Sequence, residues 1–287
     1  MDFDNKLLKI FYQNRKFNLV YRFLFHLLNC VIFYIILAVG HIIIVNLTEQ
    51  QIKEPIIYLT IYKYPHCLLT NWNVMFQTIF ISLSLLYDVL EWLDKNDTNF
   101  GRKLKFIRDV LFCSWVLPLT LFISSMFWTI FWIDRELVFP TVYDEVVPWW
   151  FNHCVHTNIV VVIVVETLLQ PRRYPTHFKL ELIGNGFITF LYAVVYYTVY
   201  FVTNRWLYGV FGVMTWWQVC LFQILIWISC FIFYFIQFPI NRLFHKESLE
   251  FENKEKIRTY QVADRNGKTN DWNLNFRNGK HVENSAL

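Results

Sequence analysis

Charge is scarce in this chain. Of its 287 residues only 17% are Asp, Glu, Lys or Arg, against 56% hydrophobic, which is too little polar surface to cover a water-facing core. Six stretches of at least 20 residues lack all four charged types: 23–48, 64–87, 110–133, 146–165, 182–204 and 206–241. A soluble globule is excluded. Glycine and proline are also few, at 8 each, and the apolar runs are long rather than alternating, which excludes a β-barrel of ~10-residue strands and turns. The six cysteines, at 30, 67, 113, 154, 220 and 230, form no Cys-x-x-Cys pair. They encode no disulfide framework and read as packing residues. Residues 1–21 mix Asp, Lys and Arg through what should be the apolar part of a cleavable signal, so the first span is expected to be its own insertion signal. Nothing resembles a phosphate loop or dinucleotide fingerprint.

What is present is enough apolar length for six crossings. A helix needs about 20 mostly apolar residues to traverse the hydrocarbon core. The runs therefore predict an all-α membrane protein, a bundle of six transmembrane helices near 23–45, 67–89, 110–132, 149–169, 182–203 and 215–238. Gly209 and Gly212 mark a break in the longest run, and the short apolar segments 55–62 and 137–143 are placed in loops or at the interface. The organisation is an N-terminal segment 1–22, a six-helix domain 23–241 and a charged tail 242–287. The tail's composition predicts disorder, with an amphipathic segment near 243–258.

Lys and Arg favour the cytoplasmic side of short loops. With both termini cytoplasmic, 22 of the 26 basic residues fall inside and 4 outside. With the acids assigned likewise, the formal +4 divides into +6 inside and −2 outside. The expected setting is the endoplasmic reticulum or the plasma membrane. The basic face suits anionic membrane lipids and not nucleic acid. Asn46-Leu47-Thr48 is a glycosylation sequon on the outer side, against the membrane end of the first span.

Polar groups in hydrocarbon are costly, so they face the bundle interior. At about 100° per residue, Thr70, Asn73, Gln77, Ser84, Asp88 and Glu91 of the second span fall within an arc of about 60°. In the fourth span Asn152, His156, Glu166, Thr167 and Gln170 share a face, and His153 stands apart. The inner cluster is expected to be structural, with Asp88, Glu91 and Glu166 pairing with Arg108 near the headgroups; a proton relay is the minority reading. His26 and Asn29 read as packing or interfacial residues.

The outer cluster combines a hydroxyl, an imidazole and amides, and the two helix starts that carry Thr70 and His156 lie on the same side. A threonine becomes a nucleophile when a base takes its proton, and histidine is the usual base. Thr70 and His156 could thus form an acyl-enzyme, with amides of Asn71, Asn73 or Asn152, or free N–H groups at the helix starts, as oxyanion donors. The residues alone leave open a second reading, in which membrane threonine and histidine only join helices in a signalling or scaffold protein, and a third, in which the stripes line a transport path. His153-x-x-His156 with His66 has the spacing to begin a metal site, but further ligands are not evident, and no metal is assigned.

Several ordered motifs carry a resemblance: Thr70-x-x-Asn73-x-x-x-Gln77-Thr78, Asp88-Val89-Leu90, Phe106-Ile107-Arg108-Asp109, Phe131-Trp132-Ile133-Asp134-Arg135-Glu136-Leu137, and Trp150-Phe151-Asn152-His153-Cys154-Val155-His156-Thr157. Glu166, Pro171 and Tyr174-Pro175 follow in order. Over roughly 20–245 the chain resembles the androgen-induced and androgen-dependent TFPI-regulating protein family of multi-pass membrane proteins. That resemblance implies an integral-membrane threonine hydrolase of fatty acid esters of hydroxy fatty acids, working without a cofactor. The family's nucleophile falls on Thr70 and its histidine on His156, while Asn73, Gln77 and Asn152 are candidates to orient the pair or bind substrate. Relatives carry an Arg-Trp-Lys stretch where this chain has Pro65-His66-Cys67, which puts the difference at the entrance and not in the dyad.

Overall fold

The computed structural model describes residues 15–170, 172 and 178–265. The described residues contain helices and no strands. The described residues divide into two units, the first ending at Phe244 and the second beginning at His245. Six helices are long and apolar enough to cross a membrane: α1 (Arg15–Val45), α2 (Leu69–Trp92), α3 (Asn99–Ile133), α4 (Trp149–Leu169), α5 (Phe178–Thr203) and α6 (Trp216–Arg265). The apolar part of α6 is Trp216–His245, and at His245 the backbone leaves helical geometry (φ −122°, ψ 16°). The helix resumes to Arg265; residues 266–287 of the tail lie outside the described residues. The protein is a multi-pass integral membrane protein.

The bundle packs a largely hydrophobic core with buried polar stripes running through it, and its membrane-spanning faces are apolar. Leu28, Val31 and Ile35 of α1, Ile183, Phe187 and Phe190 of α5, and Leu221, Leu225 and Ile232 of α6 are exposed. In water such faces would be unfavourable at about 25 cal/mol per Å²; lipid chains solvate them. On α2, Asn73, Gln77, Ser84 and Asp88 are completely buried, as their shared arc requires.

Two helices carry π turns. In α3 an α-helix Asn99–Leu111 passes through the π turn Phe112–Val116 into Leu117–Ile133. Pro118 explains the widening, because its ring clashes with the carbonyl four residues earlier and it has no N–H to donate there. Leu117 instead donates to Phe112 O, and the Cys113 carbonyl accepts from Gln237 Nε2 of α6 at 3.0 Å. The π turn therefore presents a backbone acceptor to a neighbouring helix. Helix α3 also begins eleven residues before its charge-free run, since Thr98 caps it by accepting from Gly101 N–H at 3.1 Å.

The two short apolar segments pack over one end of the bundle. Thr60 Oγ1 and Tyr143 Oη lie 2.6 Å apart, joining the turn Tyr58–Lys63 to the 3₁₀ turn Thr141–Glu145. The connector between α5 and α6 holds the short helix Gly209–Gly212. A Cβ on Gly209 would lie 3.1 Å from the Leu137 carbonyl oxygen and 3.2 Å from that of Glu136. Glycine there lets this connector lie against the backbone of the α3–α4 connector.

The other end of the bundle holds a buried ionic cluster, and here the expected pairing with Arg108 is corrected. Asp88 is bound by Arg22 (Nη2 to Oδ1, 2.6 Å) and His26 (Nδ1 to Oδ2, 2.5 Å), and Arg22 also reaches Glu91 at 2.5 Å. His26 Nε2 lies 2.8 Å from Glu166 Oε2, and Arg172 pairs with the other Glu166 oxygen. Arg108 turns away to Asp109 (2.7 Å) and the Tyr87 ring (4.6 Å to its centroid). Three arginines and His26 thus face four carboxylates and join α1, α2, α3 and α4. His26, read from sequence as a packing or interfacial residue, is fully buried at the centre of the cluster.

Candidate active site

Thr70 and His156 line the same cavity, at the end of the bundle where α2 and α4 begin. Its empty volume is about 820 Å³, open mouth included. Its wall includes Leu119, Phe122 and Phe127 of α3, Tyr192 and Tyr196 of α5, Tyr208 and Phe211 of the connector, and Phe222 and Ile226 of α6. No Asp, Glu, Lys or Arg is among the described lining residues, so the chamber suits an uncharged, largely aliphatic portion of a ligand.

The position of Thr70 in its helix leaves its hydroxyl available. Threonines deeper in helices satisfy their hydroxyls on the carbonyl four residues back, as Thr78 does on Val74, Thr167 on Ile163 and Thr198 on Val194, each at 2.7 Å. Thr70 is the second residue of α2, where no helical carbonyl lies one turn earlier. The N-cap, Leu68, has no polar side chain to close that turn. The Leu69 N–H instead donates to two tyrosine hydroxyls, Tyr192 and Tyr208, each at 3.1 Å, and those hydroxyls are 2.7 Å apart. Burial pushes the Tyr208 hydroxyl above its ordinary pKa, keeping it protonated at neutral pH.

His156 lies in the π turn Cys154–Asn158 of α4. Such turns recur at functional sites because they re-aim side chains that a regular helix would hold elsewhere. The imidazole is 8% exposed and lies flat on the Phe127 ring, with centroids 3.6 Å apart and planes 8° from parallel. Its Nδ1 is buried without a hydrogen-bond partner among the described residues. An aromatic face therefore orients this histidine where a carboxylate often does. His153 faces outward, stacked on Trp128 at 5.1 Å with Nδ1 3.2 Å from Thr157 Oγ1.

The three amide candidates are placed differently. Asn73 and Gln77 meet at Thr120 of α3, whose hydroxyl donates to Asn73 Oδ1 at 3.0 Å and accepts from Gln77 Nε2 at 2.6 Å. Both lie behind the wall, and Asn152 is buried but does not line the cavity. The structure thus brings together Thr70 and His156 and leaves Asn73, Gln77 and Asn152 outside the chamber. Tyr192, Tyr208 and Phe127 were missed from sequence. They are three aromatics among 16 Tyr and 29 Phe, with no local pattern to separate them from packing residues. Among the described residues, no group of three or more His, Cys, Asp or Glu is placed to hold a metal ion.

Comparison with known proteins bears on this architecture. The chain is 37% identical over 163 residues to the androgen-dependent TFPI-regulating protein of Mesocricetus auratus, covering 53% of this chain and 67% of that protein. It is 38% identical over 147 residues to the protein of the same name from Mus musculus, covering 50% and 61%. The androgen-induced gene 1 protein of Homo sapiens is 27% identical over 146 residues, covering 49% and 60%. These alignments span about half of this chain and six- to seven-tenths of each relative. No solved structure matches the chain. The family model described as FAR-17a/AIG1-like protein matches residues 21–242, which take in nearly all of the six apolar helices together with the cavity and the ionic cluster; the chain belongs to the FAR-17a/AIG1-like family.

Proposed function

We propose that this membrane protein is a carboxylic ester hydrolase that cleaves fatty acid esters of hydroxy fatty acids, with Thr70 as nucleophile and His156 as base. The observation that carries the reading is the shared cavity: a helix-start threonine and a buried histidine, 86 positions apart in sequence, line one chamber without charged lining residues. The Thr70 hydroxyl adds to the ester carbonyl carbon as its proton passes to His156. The intermediate collapses, the ester C–O bond breaks, and His156 returns the proton to the departing alkoxide, freeing the hydroxy fatty acid. Water then attacks the Thr70 acyl ester by the same route and releases the fatty acid. This chemistry calls for no cofactor.

Asn73 and Gln77, clamped on Thr120, hold α2 against α3 and so fix the direction of the helix that carries Thr70. Asn152 is buried one turn before His156. Their role in this reading is to orient the pair. In this reading the loop charge asymmetry puts the Thr70 end on the non-cytoplasmic side and both termini in the cytoplasm, and the membrane proposed is that of the endoplasmic reticulum or the cell surface.

The test is hydrolysis by purified protein in detergent. The expected results are release of free fatty acid from a fatty acid ester of a hydroxy fatty acid, labelling of Thr70 by a fluorophosphonate probe, and loss of both in Thr70→Ala and His156→Ala. Unchanged turnover by a folded Thr70→Ala variant would refute the assignment.

A further inference from the structure

An acyl transfer through Thr70 needs donors for the oxyanion, and the amides suggested by sequence do not reach the chamber. Two hydroxyls do. Tyr192, from α5, and Tyr208, from the connector to α6, line the cavity and grip the N–H of Leu69, the residue before Thr70. Each phenol has one proton to donate and lone pairs to accept with. The Leu69 N–H occupies lone pairs on both oxygens. One of the two phenolic protons bridges the 2.7 Å gap between them, and the other has no acceptor among the described residues. A buried hydroxyl proton without an acceptor is costly, and the space available to it is the cavity that Thr70 and His156 share. The Thr70 N–H likewise meets no backbone acceptor among the described residues.

We propose that the Tyr192–Tyr208 hydroxyl pair is the oxyanion donor of this site, assisted by the Thr70 backbone N–H; the proposal rests on the reading of Thr70 as nucleophile. When Thr70 Oγ1 bonds to the ester carbon, the carbonyl π pair moves onto oxygen. The free phenolic proton hydrogen-bonds to that oxygen without transferring. On collapse the pair returns, the carbon–alkoxide bond breaks, and His156 delivers its proton to the alkoxide. The same donor serves when water adds to the acyl-Thr70 ester and the Thr70–carbon bond breaks. The phenols act as dipoles held in place by the Leu69 N–H beside apolar walls, and donors fixed before the reaction begins are the effective kind. The bond to Leu69 keeps the donor within one residue of the nucleophile.

The experiment compares wild type, Tyr192→Phe, Tyr208→Phe, the double variant and Thr70→Ala, all as full chains in detergent. Each is assayed for kcat and KM on the ester and for inhibition by a long-chain trifluoromethyl ketone and by the matching alcohol. The ketone forms an oxyanion on Thr70; the alcohol fills the chamber without one. The double variant is expected to lose kcat by about 10²–10³-fold, with KM and alcohol inhibition within about threefold and ketone inhibition weakened about 100-fold. Each single variant frees the remaining phenol from its partner, so singles lose less than the double. If the double variant does not fold, the ratio of ketone to alcohol inhibition in the singles decides. A weakened ratio supports the proposal; equal weakening of both inhibitors, or no change in either, overturns it in favour of a purely structural tether. A wild type that neither hydrolyses the ester nor labels at Thr70 defeats the nucleophile reading itself, and the proposal with it.

Discussion

The imidazole of His156 and the ring of Phe127 lie face to face, 3.6 Å between centroids and 8° from parallel. In this chamber an aromatic surface on α3 sets the direction of a histidine carried by α4. The contact ties the geometry of the candidate base to the packing of two helices, since neither ring can turn without moving the other.

Phe127→Leu retains much of the volume and removes the stacked face. An aromatic pair contributes about 0.5–1.5 kcal/mol beyond its buried area. Ester turnover is expected to fall up to about tenfold, with the rate of Thr70 labelling by a fluorophosphonate falling in parallel, and the melting curve should show a stability loss of about 0.5–1.5 kcal/mol. Full turnover in this variant would remove orientation by Phe127 from the account.

The ionic cluster at the opposite end predicts a stability effect without a catalytic one. His26 bridges Asp88 and Glu166, both completely buried. His26→Ala leaves two carboxylates facing a void, and loss of one partner in a buried ionic set costs about 3–5 kcal/mol. Thermal unfolding in detergent should show a large drop, whereas Asp94→Asn, at the exposed turn after α2, should show none. A melting temperature for His26→Ala close to wild type would mean that the cluster does not hold the four helices.

Tyr143 predicts an alkaline response. Burial pushes its hydroxyl up to about 12, against an ordinary value near 10. The folded state therefore holds this proton more tightly than the unfolded chain does. The stability it contributes is complete below about pH 10 and is lost as pH rises toward about 12. Melting curves should fall more steeply across that window in wild type than in Tyr143→Phe. At neutral pH the variant should lose about 1 kcal/mol with its bond to Thr60.

Two glycines of the α5–α6 connector should behave oppositely. A Cβ at Gly209 meets the backbone of Glu136 and Leu137 at 3.1–3.3 Å, and one at Gly212 meets nothing within 4 Å. Gly209→Ala must displace a connector whose neighbours Tyr208 and Val210 line the chamber, at a cost of about 1–3 kcal/mol. Lower stability and lower ester turnover are expected, with Gly212→Ala matching wild type in both assays.

The helices were legible because crossing a membrane imposes a length and a composition that each segment must satisfy alone. Five of the six expected spans begin within eight residues of the observed helices, and α3 starts earlier because its polar first turns continue a helix that the charge-free criterion cannot register. The inward face of α2 was equally legible, since helical periodicity is local. Arg22, His26 and Asn29 fall on one face of an otherwise largely apolar helix, and all three are buried. They mark the face of α1 that meets the cluster.

By itself, then, the sequence determined the six apolar helices, the charge asymmetry of the loops and the arc of polar residues on α2, along with the ordered motifs that made Thr70 and His156 candidates. Only the tertiary structure decided which partner each buried charge takes, and that Asn73 and Gln77 close on Thr120 behind the cavity wall. It also decided that Tyr192 and Tyr208, 123 and 139 positions away, grip the Leu69 N–H. The physical reason is range. Hydropathy and periodicity act within a turn or a span, whereas a buried polar atom takes whichever partner packing delivers, and packing is settled by all six helices together.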